Sequence, residues 1–303
     1  MQKAMMAGKI LNLLKIVAGS LGIIFVTGQA ANAASLNRGT TFSTFLECLN
    51  DGVGLVIGQN STINGWQYAF DSNSDGVNGM WGIGAAFGKR NPYDIFGMAV
   101  KETADSIIVV LNGNMPLTGN PQASVASFQI GWGDLFFNLS GQDFSSAMNS
   151  GDLFGIRFAD VNASGVSRLG VYGGVQAKTV TDIKNGYTTA AGGLSGYENS
   201  VTWLRGTVGY GDLSRNYLVG NDPKFNLNAI ARGNFLTDIT FLANSDVTPQ
   251  LIATGYDATK LAGAHTIAFK FNKSALSRTA SVPEPSSIIT LAAIGLAIAC
   301  RKQ

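Results

Sequence analysis

Short runs in which apolar and polar side chains alternate are the feature of this sequence that most restricts its fold. The run Trp66–Phe70 alternates in this way, and so does the run over residues 267–271. A period of two places every second side chain on the same face of an extended chain, so each run predicts a half-buried β-strand. Further strands are predicted at 95–101, 106–111, 135–139, 154–159, 169–181, 201–209 and 238–242.

The short strands and the polar turns between them predict a mainly β fold. We expect an antiparallel β-sandwich, jelly-roll-like, that forms a single extracellular domain over residues 34–280, because two sheets bury their apolar faces against each other. The 17 phenylalanines supply large side chains for such a core. A β-barrel is the main alternative, and short helical turns are expected at 41–50 and 259–264.

The first 33 residues have the architecture of a secretory signal peptide. A lysine-containing start leads into an apolar stretch at 16–26, and small residues stand at Ala31 and Ala33. This stretch is too short to cross a bilayer, which needs roughly 20 helical residues. We therefore expect export by the secretion machinery and cleavage after Ala33.

The C-terminal residues 281–303 show three zones in the reverse order: a proline-containing motif, an apolar segment at 288–299 and a basic end. Proline disfavours helix in the residue before it, so the motif should be extended and accessible to an enzyme. The apolar segment is expected to form a short transmembrane helix with its basic end in the cytoplasm. The residues of the motif and the basic end are Val282, Pro283, Glu284, Pro285, Arg301 and Lys302.

This tail resembles the PEP-CTERM sorting signal. The resemblance implies that an exosortase-like enzyme recognises the tail and releases the protein or transfers it outward, much as removable tails work in GPI signals. It also implies that the tail holds the protein in the inner membrane only transiently. A permanent C-terminal anchor is the alternative.

Segments of the body at 65–69, 93–103, 131–138, 153–158 and 169–172 carry a second likeness. They resemble a cyanobacterial exosortase-dependent surface protein family, from about residue 60 to the tail. This resemblance implies a location at the cell surface and assigns no catalytic activity.

Charge and cysteine content argue against two kinds of protein. Outside the two terminal signals, 16 basic residues stand against 18 acidic residues. That balance lacks the basic surface that neutralises phosphates, so nucleic acid is not an expected partner. Cys48 is the single cysteine outside the tail, so the processed protein is not a disulfide-stapled scaffold.

A polar segment directly after the strand Trp66–Phe70 resembles the first half of a calcium-binding loop. Oxygen-bearing side chains alternate there at Asp71, Asn73 and Asp75, and a glycine follows that permits a sharp turn. The twelfth position, where an EF-hand places a bidentate glutamate, is Gly82. A calcium site therefore needs an acid from elsewhere in the fold, and a plain polar turn is the alternative.

Residues typical of catalysis are sparse. His265 is the only histidine, and no serine lies in a Gly-x-Ser-x-Gly sequence. Carboxylate pairs such as Glu102 with Asp105, or Asp134 with Asp143, suit glycoside chemistry only if the fold places them about 5 to 10 Å apart.

Tryptophans beside turns indicate a carbohydrate-binding surface if their rings are exposed. Trp66, Trp81, Trp132 and Trp203 would then stack on sugar rings through their apolar faces. Packing in the core is the alternative for all four.

The sequence as a whole predicts an exported, non-catalytic structural or interaction protein of the cell surface or extracellular matrix. A calcium-assisted carbohydrate-binding module and a glycoside-active enzyme are the alternatives. The predicted partners are the secretion machinery, an exosortase-like enzyme and exopolysaccharide.

Overall fold

A computed structural model describes residues 35–48, 51–60, 62–77, 91–121, 129–180, 193–219, 227–252 and 263–276. The chain divides into two units, Met1–Asn32 and Ala33–Gln303, and every described residue belongs to the second. The predicted signal peptide, the predicted sorting tail and Trp81 lie outside the described residues. Within the described ranges, no helix combines the length and the hydropathy that a membrane crossing requires.

The described part of the second unit is built mainly from β-strands. They are β1 Thr41–Phe45, β2 Gly52–Val56, β3 Trp66–Phe70, β4 Ile95–Glu102, β5 Ser106–Gly113, β6 Asn120–Pro121, β7 Gln129–Ile130, β8 Leu135–Asn138, β9 Leu153–Arg157, β10 Gly170–Lys178, β11 Ala229–Thr237, β12 Thr240–Phe241 and β13 His265–Asn272. The helices are α1 Phe144–Ser150, α2 Gly193–Trp203, α3 Arg215–Val219, α4 Asn244–Ile252 and a 3₁₀ turn at Lys273–Leu276.

Two antiparallel sheets organise these strands. The first sheet has the order β11-β10-β9-β8-β1-β2 and the second the order β12-β13-β5-β4-β3, while β6 and β7 form a small separate pair. Neighbours in each sheet are mostly consecutive in the chain, which is the order of a meander. Among the described strands, this order differs from that of the expected jelly roll, which interleaves strands through Greek-key connections.

The main core lies between the two sheets, which confirms the predicted β-sandwich. Alternate residues of β5 and β13, such as Val109 and Phe269, enter it from the second sheet. Phe137 enters it from the first sheet, with its ring centroid 4.9 Å from that of Phe154 and 5.7 Å from that of Phe271 in the opposite sheet. Every second side chain of these strands thus enters this layer, as the predicted period of two requires.

Helices cover the outer faces of both sheets. On the second sheet, Val247 and Leu251 of α4 pack in one apolar cluster with Trp66. On the first sheet, Phe144 of α1 packs against Phe136, with ring centroids 5.2 Å apart. The helix α2 forms a third apolar cluster with residues that include Phe45, Val77 and Tyr210.

Two local predictions are wrong. The expected helical turn at 41–50 is the strand β1, which is buried along its whole length between β2 and β8. The expected strand at 201–209 begins inside α2, where Leu194, Tyr197 and Val201 are buried. Their spacing of three and four residues places them on one face of a helix.

Candidate metal centre

Three aspartates from separate segments meet where the two sheets approach α2. Asp51 lies in the connection from β1 to β2, Asp75 follows β3, and Asp94 directly precedes β4. One carboxylate oxygen of each lies within 4.8 Å of the corresponding oxygens of the other two. All three residues are at most 1% exposed.

Asp51 contacts the second sheet and α2 through its carboxylate. Its Oδ2 accepts a hydrogen bond of 2.8 Å from the backbone N–H of Ile95, at the start of β4. Its Oδ1 accepts one of 3.2 Å from the hydroxyl of Tyr197, on α2. Its own carbonyl accepts a hydrogen bond of 2.8 Å from the N–H of Leu46.

The loop after β3 presents two carboxylates to the same region. Asp75 Oδ2 accepts a hydrogen bond of 2.5 Å from the N–H of Gly209, and Asp71 Oδ1 accepts one of 3.3 Å from the N–H of Gly211. The backbone of Gly76 lies so close to Asp94 that a Cβ at position 76 would collide with the backbone there. Glycine at this position therefore lets the Asp75 loop approach Asp94.

The buried side chain of Asn91 forms hydrogen bonds with the backbone on either side of the cluster. The side-chain amide of Asn91 donates to the carbonyl of Gly76, and its Oδ1 accepts from the N–H of Tyr93 at 3.0 Å. The N–H of Asn114 donates to the carbonyl of Asp94 at 2.9 Å. These bonds hold the backbone on both sides of the cluster.

Three carboxylate oxygens of this region have no hydrogen-bond partner among the described residues, although they are buried: Asp71 Oδ2, Asp75 Oδ1 and Asp94 Oδ2. A buried polar atom without a partner costs about 1 to 3 kcal/mol, and more when it is charged. The ion pairs of the described residues use other carboxylates, those of Glu102, Glu198 and Asp238. A cation could bind these three oxygens.

Burial and mutual repulsion raise the pKa values of these carboxyl groups. Burial and the charge of Asp94 together raise the pKa of Asp75 to about 8, against the hydrogen bond from Gly209. Burial also raises the pKa of Asp94 to about 7. The pKa values of Asp51 and Asp71 lie well above their ordinary range, first because of burial and then because of the charge of Asp75.

Ionised carboxylates this close repel strongly. Two unit charges within 4.8 Å of each other repel by about 3 kcal/mol or more at an effective dielectric constant of about 20. The raised pKa values express this repulsion together with burial, because both disfavour the charged forms. A bound divalent cation would turn this repulsion into attraction.

The donor set fits calcium better than zinc. Calcium takes six to eight oxygen ligands at about 2.3 to 2.6 Å, so oxygens on opposite sides of the ion lie about 5 Å apart. Asp51, Asp75 and Asp94 supply such oxygens within 4.8 Å of one another, and Asp71 lies beside them. Zinc sites are dominated by cysteine and histidine, and neither belongs to this group.

Some of the ligands predicted in the loop lie at this cluster, and residues from outside the loop join them. Asp75 belongs to the cluster, and Asp71 presents a free oxygen beside it. Asn73 is exposed and is not a member of the cluster. Asp51 and Asp94 are the acids from elsewhere in the fold, and sequence analysis did not single them out.

The predicted sugar-stacking surface requires a correction. Trp66 and Trp132 are both fully buried, so neither ring offers a face to a ligand. Trp132 Nε1 donates a hydrogen bond of 3.2 Å to the carbonyl of Met115 inside the core. By contrast, Trp203 at the end of α2 is 74% exposed.

The carboxylates considered for glycoside chemistry have structural partners. Glu102 forms an ion pair of 2.9 Å with Lys273, and Asp143 caps the N-terminus of α1. Asp134 is buried and accepts hydrogen bonds from the side chain of Asn162 and from a backbone N–H of β11.

In comparisons with known proteins, the chain matches no family model, no curated protein and no solved structure. Its function is therefore inferred from its own residues. Chemically, the buried aspartates can bind a hard divalent cation and thereby tie together the segments that carry them.

Proposed function

We propose that this protein is an exported β-sandwich module of the cell surface or extracellular matrix, held in its native form by a calcium ion. It acts through interaction and not through catalysis. The observation that carries the proposal is the buried cluster of Asp51, Asp75 and Asp94, together with the partnerless oxygens around it.

Burial of the cluster favours a structural role for the ion. The three aspartates are closed off from solvent, whereas a catalytic metal keeps a position open for water or substrate. The cluster also joins residues of both sheets, so that the ion would act on the fold as a whole.

The predicted terminal signals support the location. A signal peptide over 1–33 and a PEP-CTERM-like tail over 281–303 would take the chain across the inner membrane and present it to an exosortase-like enzyme. The short apolar helix of the tail would hold the protein in the membrane during that step. Calcium suits this destination, because extracellular modules bind it with dissociation constants of about 10⁻⁴ to 10⁻³ M.

Calcium titration of the full chain, purified in mild detergent, tests the proposal. We expect calorimetry to show binding in that range and the melting temperature to rise with calcium, since a ligand at 100 times its dissociation constant stabilises by about 2.7 kcal/mol. Asp75→Asn should abolish both effects. Asp105→Asn, the same change at an exposed aspartate, should preserve them.

Wild-type protein that shows neither heat nor a change in melting temperature would refute the calcium site. Equal responses from Asp75→Asn and Asp105→Asn would place any bound calcium elsewhere in the chain.

A calcium-assisted carbohydrate-binding module is the second candidate, and the exposure of Trp203 favours it. This ring ends α2, the helix whose Tyr197 contacts Asp51. On an array of bacterial exopolysaccharides, we expect calcium-dependent retention that Trp203→Ala removes. Retention that is unchanged in Trp203→Ala would exclude this ring as the anchor.

A further inference from the structure

The segment over residues 193–213, here named the α2 segment, lies against the metal centre. It comprises α2 and the turns that follow it. Tyr197 donates to Asp51 at 3.2 Å, Gly209 to Asp75 at 2.5 Å and Gly211 to Asp71. Two carboxylates of the metal centre and the carboxylate of Asp71 thus each hold one group of this segment.

The α2 segment also covers the outer edge of the first sheet. Gly54 of β2 donates to the carbonyl of Tyr210, and Asp212 donates back to the carbonyl of Gly54 at 2.9 Å. The strand β2 ends its sheet, so these bonds pair backbone groups that would otherwise be open. An open strand edge is a template for pairing with another extended chain.

We infer that calcium at Asp51, Asp75 and Asp94 latches the α2 segment onto the sandwich and so keeps the β2 edge closed. The inference rests on the proposed calcium site and specifies what the ion regulates.

The physical link is the position of the carboxylates. With the ion bound, their charges are balanced and their oxygens stay where Tyr197, Gly209 and Gly211 donate to them. Without the ion, carboxylates that are ionised repel one another and move apart. The α2 segment then loses these hydrogen bonds together, while its apolar side chains, such as Leu194 and Val201, keep only their packing.

The second sheet supplies an internal reference in β5 and β13, at the end away from Gly113, which lies beside Asp94. The strands β5 and β13 pair in register from His265 with Gly113 to Asn272 with Ser106. These strands contribute no aspartate to the metal centre. Local opening of the α2 segment should leave their hydrogen bonds in place.

Hydrogen–deuterium exchange of the full chain in mild detergent, with excess calcium or with a chelator, tests the latch. We expect removal of calcium to speed exchange in peptides from 193–213 at least tenfold and in peptides from β5 and β13 less than twofold. Calcium binding without a local change would overturn the latch alone. Equal acceleration in all peptides would also overturn it, because the ion would then stabilise the fold uniformly.

Failure of the calcium site itself gives a different result. In that case calorimetry detects no binding, and both the latch and the proposed function are refuted.

Tyr197→Phe separates the latch from the ion. It keeps the buried ring but removes the hydroxyl that donates a hydrogen bond to Asp51. We expect calcium affinity to change less than threefold, while exchange of 193–213 in calcium becomes several times faster. Tyr172→Phe, which removes a hydroxyl bonded to the Arg168 carbonyl, is the matched control and should leave the α2 segment unchanged. Identical exchange of 193–213 in the two variants would contradict the inference.

Discussion

Glu47 is a buried carboxyl group outside the candidate metal centre. It is 3% exposed, and its Oε1 accepts a hydrogen bond of 2.7 Å from the N–H of Ala163. Burial raises its pKa from 4.5 to about 7, and the charge of Asp134 adds to this effect. The Ala163 hydrogen bond and the charges of Lys178 and Arg157 oppose it. A proton is therefore held in the native state at a pH where the unfolded chain has lost it.

This extra proton makes the stability of the native state depend on pH. Between pH 4.5 and about 7, the native state binds more protons at Glu47 than the unfolded state, so stability falls as pH rises. Above and below this window the contribution is flat. Its full size is about 3 kcal/mol, at about 1.4 kcal/mol for each unit of pKa.

Glu47→Gln should remove this dependence, because an amide does not ionise and can still accept from Ala163. We measure the free energy of unfolding of both proteins with urea. The difference, Glu47→Gln minus wild type, should rise by about 3 kcal/mol as pH increases from 4.5 to 7.5.

Glu102→Gln is the control for Glu47→Gln. Against partial burial, hydrogen bonds from Lys273 and Ser35 lower the pKa of Glu102 below 4.5. Its contribution to stability therefore changes only below pH 4.5, so this variant should run parallel to wild type at higher pH. Parallel curves for Glu47→Gln and wild type would contradict a raised pKa in Glu47.

At the scale of elements, predictions from the sequence succeed where one face of a strand is buried. The strand β3 is found at Trp66–Phe70 as predicted, and β4, β5 and β13 extend the predicted ranges by one to three residues. Period-two alternation is a local property of the chain, so neighbouring residues suffice to reveal it.

Other elements lack that local signal. The strands β1 and β2 are buried on both faces, so their sequences do not alternate. The edge strand β11 alternates only in part, and its pairing with β10 shifts register at three places. The strand pattern at 201–209 arises where α2 ends, and only the buried face from Leu194 to Val201 reveals the helix.

At the scale of the whole molecule, Phe137 links the two sheets. It is fully buried and lies between Phe154 of its own sheet and Phe271 of the opposite sheet. We expect Phe137→Ala to lower the free energy of unfolding by about 3 to 5 kcal/mol, because it removes apolar contacts and leaves a cavity. Urea unfolding in saturating calcium measures this loss.

Phe241→Ala is the matched control for Phe137→Ala. Phe241 is 41% exposed, so its loss should cost less than about 1 kcal/mol. Similar losses for both variants would contradict a core centred on Phe137.

The sequence by itself determined the β class, many of the strands and part of the oxygen-rich loop at Asp71 and Asp75. These features depend on residues that are neighbours in the chain. Only the tertiary structure decided that Asp51 and Asp94 join Asp75, and that Trp66 and Trp132 belong to the core. Those outcomes depend on which strands pair and which faces are covered, and sheet pairing brings together residues that are far apart in the sequence.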